Sequence, residues 1–226
     1  MLVAYSTQTV ISLLIACIPL LAAFVILSRK LFLQESMACL MAICVISFFK
    51  DILGAVSTLS PAGHALVENV FLLLNFCLIL LACKSIIKAS YFHTLVPGIM
   101  LSVGAVFITY MLLTGPDQPQ SGIRFAACLL ILSISLYVLL KLMAVQQLTI
   151  FKSPLFWTAA GFFFYHFQYL LIEVLGHQLF AGEKDFPFYA WIIMLLSKFV
   201  TYGFFLTASL LNLEKNMQTP GRTALG

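Results

Sequence analysis

Seven long apolar runs, separated by short polar breaks, constrain this sequence more than any other feature. A helix needs about 20 mostly apolar residues to cross the hydrocarbon core of a membrane. The runs cover residues 8–28, 36–58, 67–88, 93–114, 123–145, 155–176 and 188–212. Only 9% of the residues are charged and 62% are hydrophobic, whereas charged residues make up roughly a quarter of soluble domains. The sequence therefore predicts an all-α integral membrane protein, with one seven-transmembrane-helix bundle filling residues 1–226.

Basic residues concentrate at one set of ends of the predicted helices, and this asymmetry predicts the orientation. Short loops rich in lysine and arginine stay on the cytoplasmic side of a membrane. These ends carry Arg29, Lys30, Lys84, Lys88, Lys141, Lys152, Lys215 and Arg222. We expect the N-terminus outside and the C-terminus inside, with residues 213–226 as a short cytoplasmic tail. The first run lacks a preceding basic segment, so we expect it to be retained as an anchor and not cleaved.

Composition and motifs exclude several classes of function. A net charge of +4 from dispersed residues does not indicate nucleic-acid binding. Zinc-protease, nucleophile-elbow, P-loop and dinucleotide-binding motifs are absent from the sequence, so we predict no catalytic residue and no cofactor. The cysteines form no CxxC pair or metal-ligand pattern. We interpret them as packing residues and predict neither a disulfide nor a metal site for Cys17, Cys39, Cys44, Cys77, Cys83 and Cys128.

Charged residues within the apolar runs are the candidates for function, because a charge at bilayer depth usually faces a partner, water or the bundle interior. Helical spacing places several of them on shared faces: residues seven apart, or three and four apart, lie on one side of a helix. Lys50 and Asp51 are adjacent, about 100° apart around a helix, so we expect Asp51 to point inward and Lys50 to reach the outer interface. The predicted outward-facing cluster consists of Lys198, Asp51, Glu173, His166, Glu68, Asn75, Tyr169 and Tyr202.

Two interpretations of this cluster stay open at the level of sequence. It forms either a ligand or ion pocket, or a structural ion pair of Lys198 with Asp51 or Glu173 that holds helices together. For His166 alone, a hydrogen-bonded core histidine is favoured over a ligand role. Asn75 is expected to form an interhelical hydrogen bond in either case.

Three further functions were weighed against the sequence. A lysine in the seventh helix is similar to the retinal-binding lysine of rhodopsins, but the third run lacks a central carboxylate and the sixth lacks the microbial WxxYP signature. Asp51, His166 and Glu173 are candidates for an intramembrane hydrolase. A small-solute or ion transporter is expected to show inverted repeats or matched broken helices, and the isolated Pro19 and Pro97 do not form such a pair.

The entry to the sixth run resembles a known class of protein. The segments ENVFLLLNFCLILLACKSIIK and FKSPLFWTAAGFFFYHF are similar to small bacterial seven-helix membrane proteins associated with two-component signalling. The resembling positions are Pro154, Phe156, Trp157, Gly161 and Tyr165. The last helix of that family usually carries a polar amide where this chain has Ser197 and Lys198.

The resemblance implies a sensory or regulatory role in a bacterial inner membrane. The tail is expected to be too short for an output domain, so a signal would pass to a separate signalling protein. The bilayer is the other predicted partner, and self-association into a homo-oligomer is left open.

Overall fold

The computed structural model describes residues 10–56, 60–87, 90–115, 121–145, 150–172 and 186–217, and nearly all of these are helical. Two short 3₁₀ helices cover Leu31–Leu33 and Ile150–Lys152. Within the described ranges the chain contains no strand, which confirms the all-α prediction. The long helices are α1 (Val10–Ser28), α2 (Glu35–Val56), α3 (Pro61–Ile86), α4 (Ser90–Thr114), α5 (Ser121–Val145), α6 (Pro154–Leu171) and α7 (Phe186–Met217).

Six of these helices are long and apolar enough to cross a membrane, which identifies the chain as an integral membrane protein. They are α1 to α5 and α7. The remaining helix, α6, has 18 residues, and His166 and Gln168 reduce its apolar character. The described ranges therefore contain six membrane-compatible helices, where the sequence predicts seven spans.

Two helix boundaries differ clearly from the predicted ones, the start of α3 and the end of α7. α3 begins at Pro61, six residues before the predicted start at 67, because the Ser60 hydroxyl accepts a hydrogen bond from the Gly63 amide at 3.2 Å. Serine at the cap and proline at the first position are typical of a helix start. α7 continues to Met217, so the first part of the predicted tail is helical. Residues 173–176 of the predicted sixth run lie outside the described residues.

Six helices form a ring, in which each one packs against the next: α1, α2, α3, α5, α6, α7 and back to α1. α4 lies outside this ring and packs mainly on α3. Only 11% of its apolar segment is buried, against 28–33% for the other five membrane-compatible helices. The ring therefore encloses the interior, and α4 exposes most of its surface to the surroundings of the bundle.

Large buried apolar side chains concentrate in one half of the ring, and the charged side chains of the interior lie in the other. Large side chains such as Met37, Leu40 and Leu80 are completely buried, whereas Leu101 and Leu112 of α4 are almost fully exposed. Exposed apolar side chains are what a lipid-facing surface requires. We call the end where α2 and α6 finish, and where α3, α5 and α7 begin, the polar end of the bundle.

Candidate intramembrane cavity

A cavity of about 50 Å³ opens among α2, α3, α6 and α7 in the half nearer the polar end. Its position follows from helical spacing, because each helix contributes residues three or four positions apart, and these share one face. Lys198 lies in the middle of the apolar segment Phe188–Leu211 of α7, so the cavity reaches to about half the depth of that segment. Its polar lining consists of Ser47, Lys50, Asp51, Asn75, Tyr165, His166, Lys198, Thr201 and Tyr202.

The cavity has an apolar floor, and each of the four helices contributes one residue to it. The floor residues are Ile43, Ile79, Phe162 and Phe205. Each lies four residues, or about one turn, further from the polar end than a polar lining residue of the same helix: Ser47, Asn75, His166 and Thr201. Hydrogen-bonding groups therefore line the upper layer, and a layer of aliphatic and aromatic side chains closes the cavity towards the core.

An ion pair joins α2 to α7 across the cavity. The Lys198 ammonium donates to the Asp51 Oδ1 atom at 2.5 Å, and the Tyr202 hydroxyl lies 3.4 Å from Oδ2. The side chain of Asp51 is 11% exposed and that of Lys198 is 24% exposed. Both carboxylate oxygens are thus engaged. A short charge-assisted contact of this kind offsets part of the cost of placing two charges away from water.

A second charged cluster lies at the mouth, between α2, α3, α5 and α6. The Arg124 guanidinium contacts the Glu68 carboxylate at 2.9 Å and donates to the Tyr169 hydroxyl at 3.1 Å. Lys50 lies 3.9 Å from the other Glu68 oxygen. With side chains between one-fifth and two-fifths exposed, this cluster is more accessible than the Lys198–Asp51 pair. It ties α3 to α5 and α6 beside the cavity opening.

The hydrogen bond of His166 determines which nitrogen of its ring carries a proton. Its Nδ1 atom lies 2.8 Å from the Phe162 carbonyl oxygen of the same helix. A carbonyl oxygen only accepts, so Nδ1 carries a proton in this arrangement and Nε2 of the neutral ring is an acceptor. The residue is buried. This agrees with a hydrogen-bonded core histidine, although its ring also lines the cavity.

Several buried polar atoms around the cavity have no hydrogen-bond partner among the described residues. Asn75 Oδ1 and Thr201 Oγ1 line the main cavity. Gln168 Oε1 and Ser197 Oγ lie in a smaller adjoining space of about 10 Å³, which shares Tyr165 and Lys198 with the main cavity. Buried polar atoms nearly always find a partner. These atoms therefore give the cavity and the adjoining space hydrogen-bonding capacity that the described residues do not use.

The structure brings together part of the predicted cluster. Asp51, Asn75, His166, Lys198 and Tyr202 line the cavity. Glu68 and Tyr169 instead meet Arg124 in the mouth cluster. Glu173 lies outside the described residues. For Asn75 Oδ1, the expected interhelical hydrogen bond is not present among the described residues.

Sequence reasoning missed Arg124 and misplaced Lys50. Arg124 is absent from the predicted cluster, although its position at the start of an apolar run is itself a signal. Lys50 was expected to leave the cavity for the outer interface, yet it lines the cavity beside Asp51 and approaches Glu68. A long flexible lysine stem accounts for this, because its ammonium reaches a neighbouring acid despite the angle between adjacent residues.

The residues that carry the sequence resemblance have definite structural roles. Pro154 occupies the first turn of α6, and the Trp157 indole donates to the Phe151 carbonyl at 2.7 Å, which fixes the entry to the helix. Gly161 lies against the Phe205 ring, and Tyr165 lines the cavity. Comparison with protein-family models, curated proteins and solved structures gives no match to this chain. The family resemblance therefore stays a prediction.

Proposed function

We propose that this chain is a seven-span bacterial inner-membrane protein with a sensory or regulatory, receptor-like role. In this proposal its N-terminus lies outside, its C-terminus lies in the cytoplasm, and a separate protein carries the output. The observation that carries the proposal is the polar cavity around Lys198 and Asp51, closed by an apolar floor. A cavity that opens at one end and closes at mid-depth is better suited to binding and detecting a molecule than to letting that molecule cross the membrane.

The same geometry bears on the competing functions. A continuous polar path is what a transporter needs, and the floor of Ile43, Ile79, Phe162 and Phe205 interrupts it. Ligand pockets usually have volumes of about 300 Å³ or more, so a cavity of about 50 Å³ is too small for a retinal polyene. Asp51 is engaged by Lys198 and Tyr202, while His166 bonds to its own helix. Neither side chain activates the other for hydrolysis.

Signal transmission in this proposal uses the packing of α6 against α7. Phe205 forms part of the floor, packs edge to face on Phe162 at 5.4 Å between ring centroids, and lies against Gly161. A molecule that fills the cavity touches both helices directly above this contact. Binding changes the conformation of the protein only if the molecule binds one arrangement of the two helices more tightly than another.

The proposed orientation is tested by reporter fusions at the C-terminus. Because basic loops stay in the cytoplasm, green fluorescent protein fused after Gly226 should fluoresce, and alkaline phosphatase at the same position should be inactive. The reverse pattern would contradict both the inside position of the C-terminus and the outward opening of the cavity. Fusions after Thr114, where α4 ends, provide the opposite expected result as a control.

The regulatory role is tested by comparing transcripts in the organism of origin. The double variant Asp51→Asn/Lys198→Met removes both charges of the Lys198–Asp51 pair and leaves neither partner unpaired, so it should reach the membrane at wild-type levels. We expect it to reproduce the transcript changes caused by deleting the gene. Lys141→Met, the same change at an exposed lysine, should behave as wild type.

Two results of this comparison would contradict the proposal. If deletion changes no transcripts under any of the growth conditions compared, the protein has no regulatory output of this kind. If deletion changes transcripts but the double variant matches wild type at equal membrane levels, the regulatory role does not depend on the cavity.

A further inference from the structure

The charges around the cavity do not balance among the described residues. Lys50, Lys198 and Arg124 contribute three cations, and Asp51 and Glu68 contribute two anions. Lys50 lies 3.9 Å from Glu68, which is longer than a hydrogen bond. Cations at membrane depth are stabilised by a nearby negative charge. The described part of the cluster therefore accepts one more negative charge.

Hydrogen-bond donors also remain available inside the cavity. An ammonium has three donor N–H groups, and Lys198 directs one of them to Asp51. Thr201 is 2% exposed, lines the cavity, and its hydroxyl has no partner among the described residues. The amide of Asn75 can present either its oxygen or its NH₂ group, since the two are interchangeable in placement. Hydrogen-bond donors on α2 (Lys50), α3 (Asn75) and α7 (Lys198 and Thr201) therefore line the same small cavity.

The volume of the cavity limits what fits. One water molecule needs about 10–15 Å³ of such space, so about 50 Å³ accommodates a group of a few non-hydrogen atoms. Each Asp51 oxygen already has one hydrogen-bond contact, to Lys198 or to Tyr202. The acceptor Nε2 of His166 suits a companion water, or an anion that carries its own proton.

We propose that the cavity binds a small monovalent anion, monatomic or with at most four non-hydrogen atoms, between Lys198, Lys50 and the Thr201 hydroxyl. The inference rests on the proposed function, because it names the ligand class of the same cavity. Chloride, nitrate, formate and hydrogencarbonate share this chemistry. The Lys198–Asp51 pair forms one wall of the site, and the apolar floor limits its depth.

The test is thermal unfolding of the purified full-length protein in detergent at constant pH and ionic strength. Sodium salts of the four anions replace sodium gluconate, whose anion is too large for the cavity. At least one small anion should raise the melting temperature in a saturable way, because a ligand that binds only the folded state stabilises it. The anion with the strongest effect identifies the physiological candidate.

Matched variants locate the site. Thr201→Val keeps the shape but removes the hydroxyl, and we expect it to weaken the apparent affinity about tenfold, as loss of a hydrogen bond to a charged group does. Thr207→Val makes the same change on α7, where the hydroxyl bonds to the Gly203 carbonyl, and should leave the affinity unchanged. Asp51→Asn should tighten anion binding, because it removes the carboxylate that shares Lys198.

Three results would overturn the anion assignment. They are equal melting temperatures in all salts, equal loss of affinity in Thr201→Val and Thr207→Val, and an anion effect that appears only in Glu173→Gln. The last result would mean that the Glu173 carboxylate provides the missing negative charge. If any of these occurs while Asp51→Asn/Lys198→Met still reproduces the deletion transcripts, the ligand class is wrong and the receptor-like role stands.

Discussion

Replacing Lys198 with methionine should lower the melting temperature of the protein by roughly 5–15 °C. Methionine preserves the length and most of the packing of the lysine stem but removes the ammonium. The Asp51 carboxylate, 11% exposed, then keeps the Tyr202 hydroxyl at 3.4 Å as its one hydrogen-bond partner in the described part of the chain. Removing one partner of a buried ion pair leaves the other charge uncompensated, which costs about 2–4 kcal/mol at this degree of burial.

Three related variants test whether the loss of stability comes from the unpaired charge. Asp51→Asn should cost less than Lys198→Met, because an unpaired lysine can extend its ammonium towards water. Asp51→Asn/Lys198→Met should recover most of the lost stability, since it leaves no unpaired charge. Lys141→Met changes an exposed lysine and should shift stability by less than about 0.5 kcal/mol.

The protein's own cysteines provide the measurement. Cys44, Cys83 and Cys128 are buried, so a thiol-reactive dye reports their exposure on unfolding. Cys17 is exposed and should be replaced by serine in every variant to lower the background. If Lys198→Met has the same melting temperature as the wild type, the Lys198–Asp51 pair contributes nothing to stability. Equal losses in the single and double variants would show that lysine packing, and not charge, is responsible.

Replacing Gly161 with alanine should lower the melting temperature by roughly 3–10 °C, the range expected when a packed core receives an extra methyl group. A Cβ atom at this position would lie 2.5 Å from one carbon of the Phe205 ring and 3.0 Å from another. The ring cannot easily turn away, because it is 3% exposed and packs against Phe162 and Tyr202. The two helices must separate, or the ring must enter the cavity.

Two other glycines are controls for the intrinsic effect of alanine. A Cβ atom at Gly203 in α7 or Gly104 in α4 would meet nothing within 4 Å. Alanine should therefore stabilise both positions by up to about 1 kcal/mol through helix propensity. Gly161→Ala/Phe205→Leu should regain part of the loss, because leucine frees space at the contact. If Gly161→Ala is as stable as Gly203→Ala, the close approach of α6 and α7 is not needed.

Hydrophobic patterning alone predicts the helices well, because a membrane-crossing segment must be long, apolar and internally hydrogen-bonded. The predicted runs 93–114 and 123–145 match α4 and α5 to within about three residues at each end. The early start of α3 was missed, since the Ser60 cap and Pro61 belong to a segment that reads as a loop. The polar side chains that make α6 a candidate for the functional site also lower its apolar character.

The site was harder to predict, because pairing depends on which helices are neighbours. Spacing along one helix places Ser47 with Asp51, or Thr201 near Lys198, on one face. It does not say that α2 and α7 meet across the ring, or that Arg124 of α5 reaches Glu68. The ring order, with α4 outside it, decides these contacts. Nothing in the apolar pattern of α4 distinguishes it from the helices that form the ring.

The position of the cavity at mid-depth has an electrical consequence. Lys198 lies in the middle of the apolar segment Phe188–Leu211, so an ion that enters from one side and stops at the floor crosses about half of the membrane's hydrocarbon. Moving one elementary charge across the whole membrane changes its energy by about 2.3 kcal/mol per 100 mV. Moving the charge across half of that distance changes the occupancy of the site by about sevenfold per 100 mV. An ion bound at this depth would therefore respond to membrane voltage as well as to its own concentration.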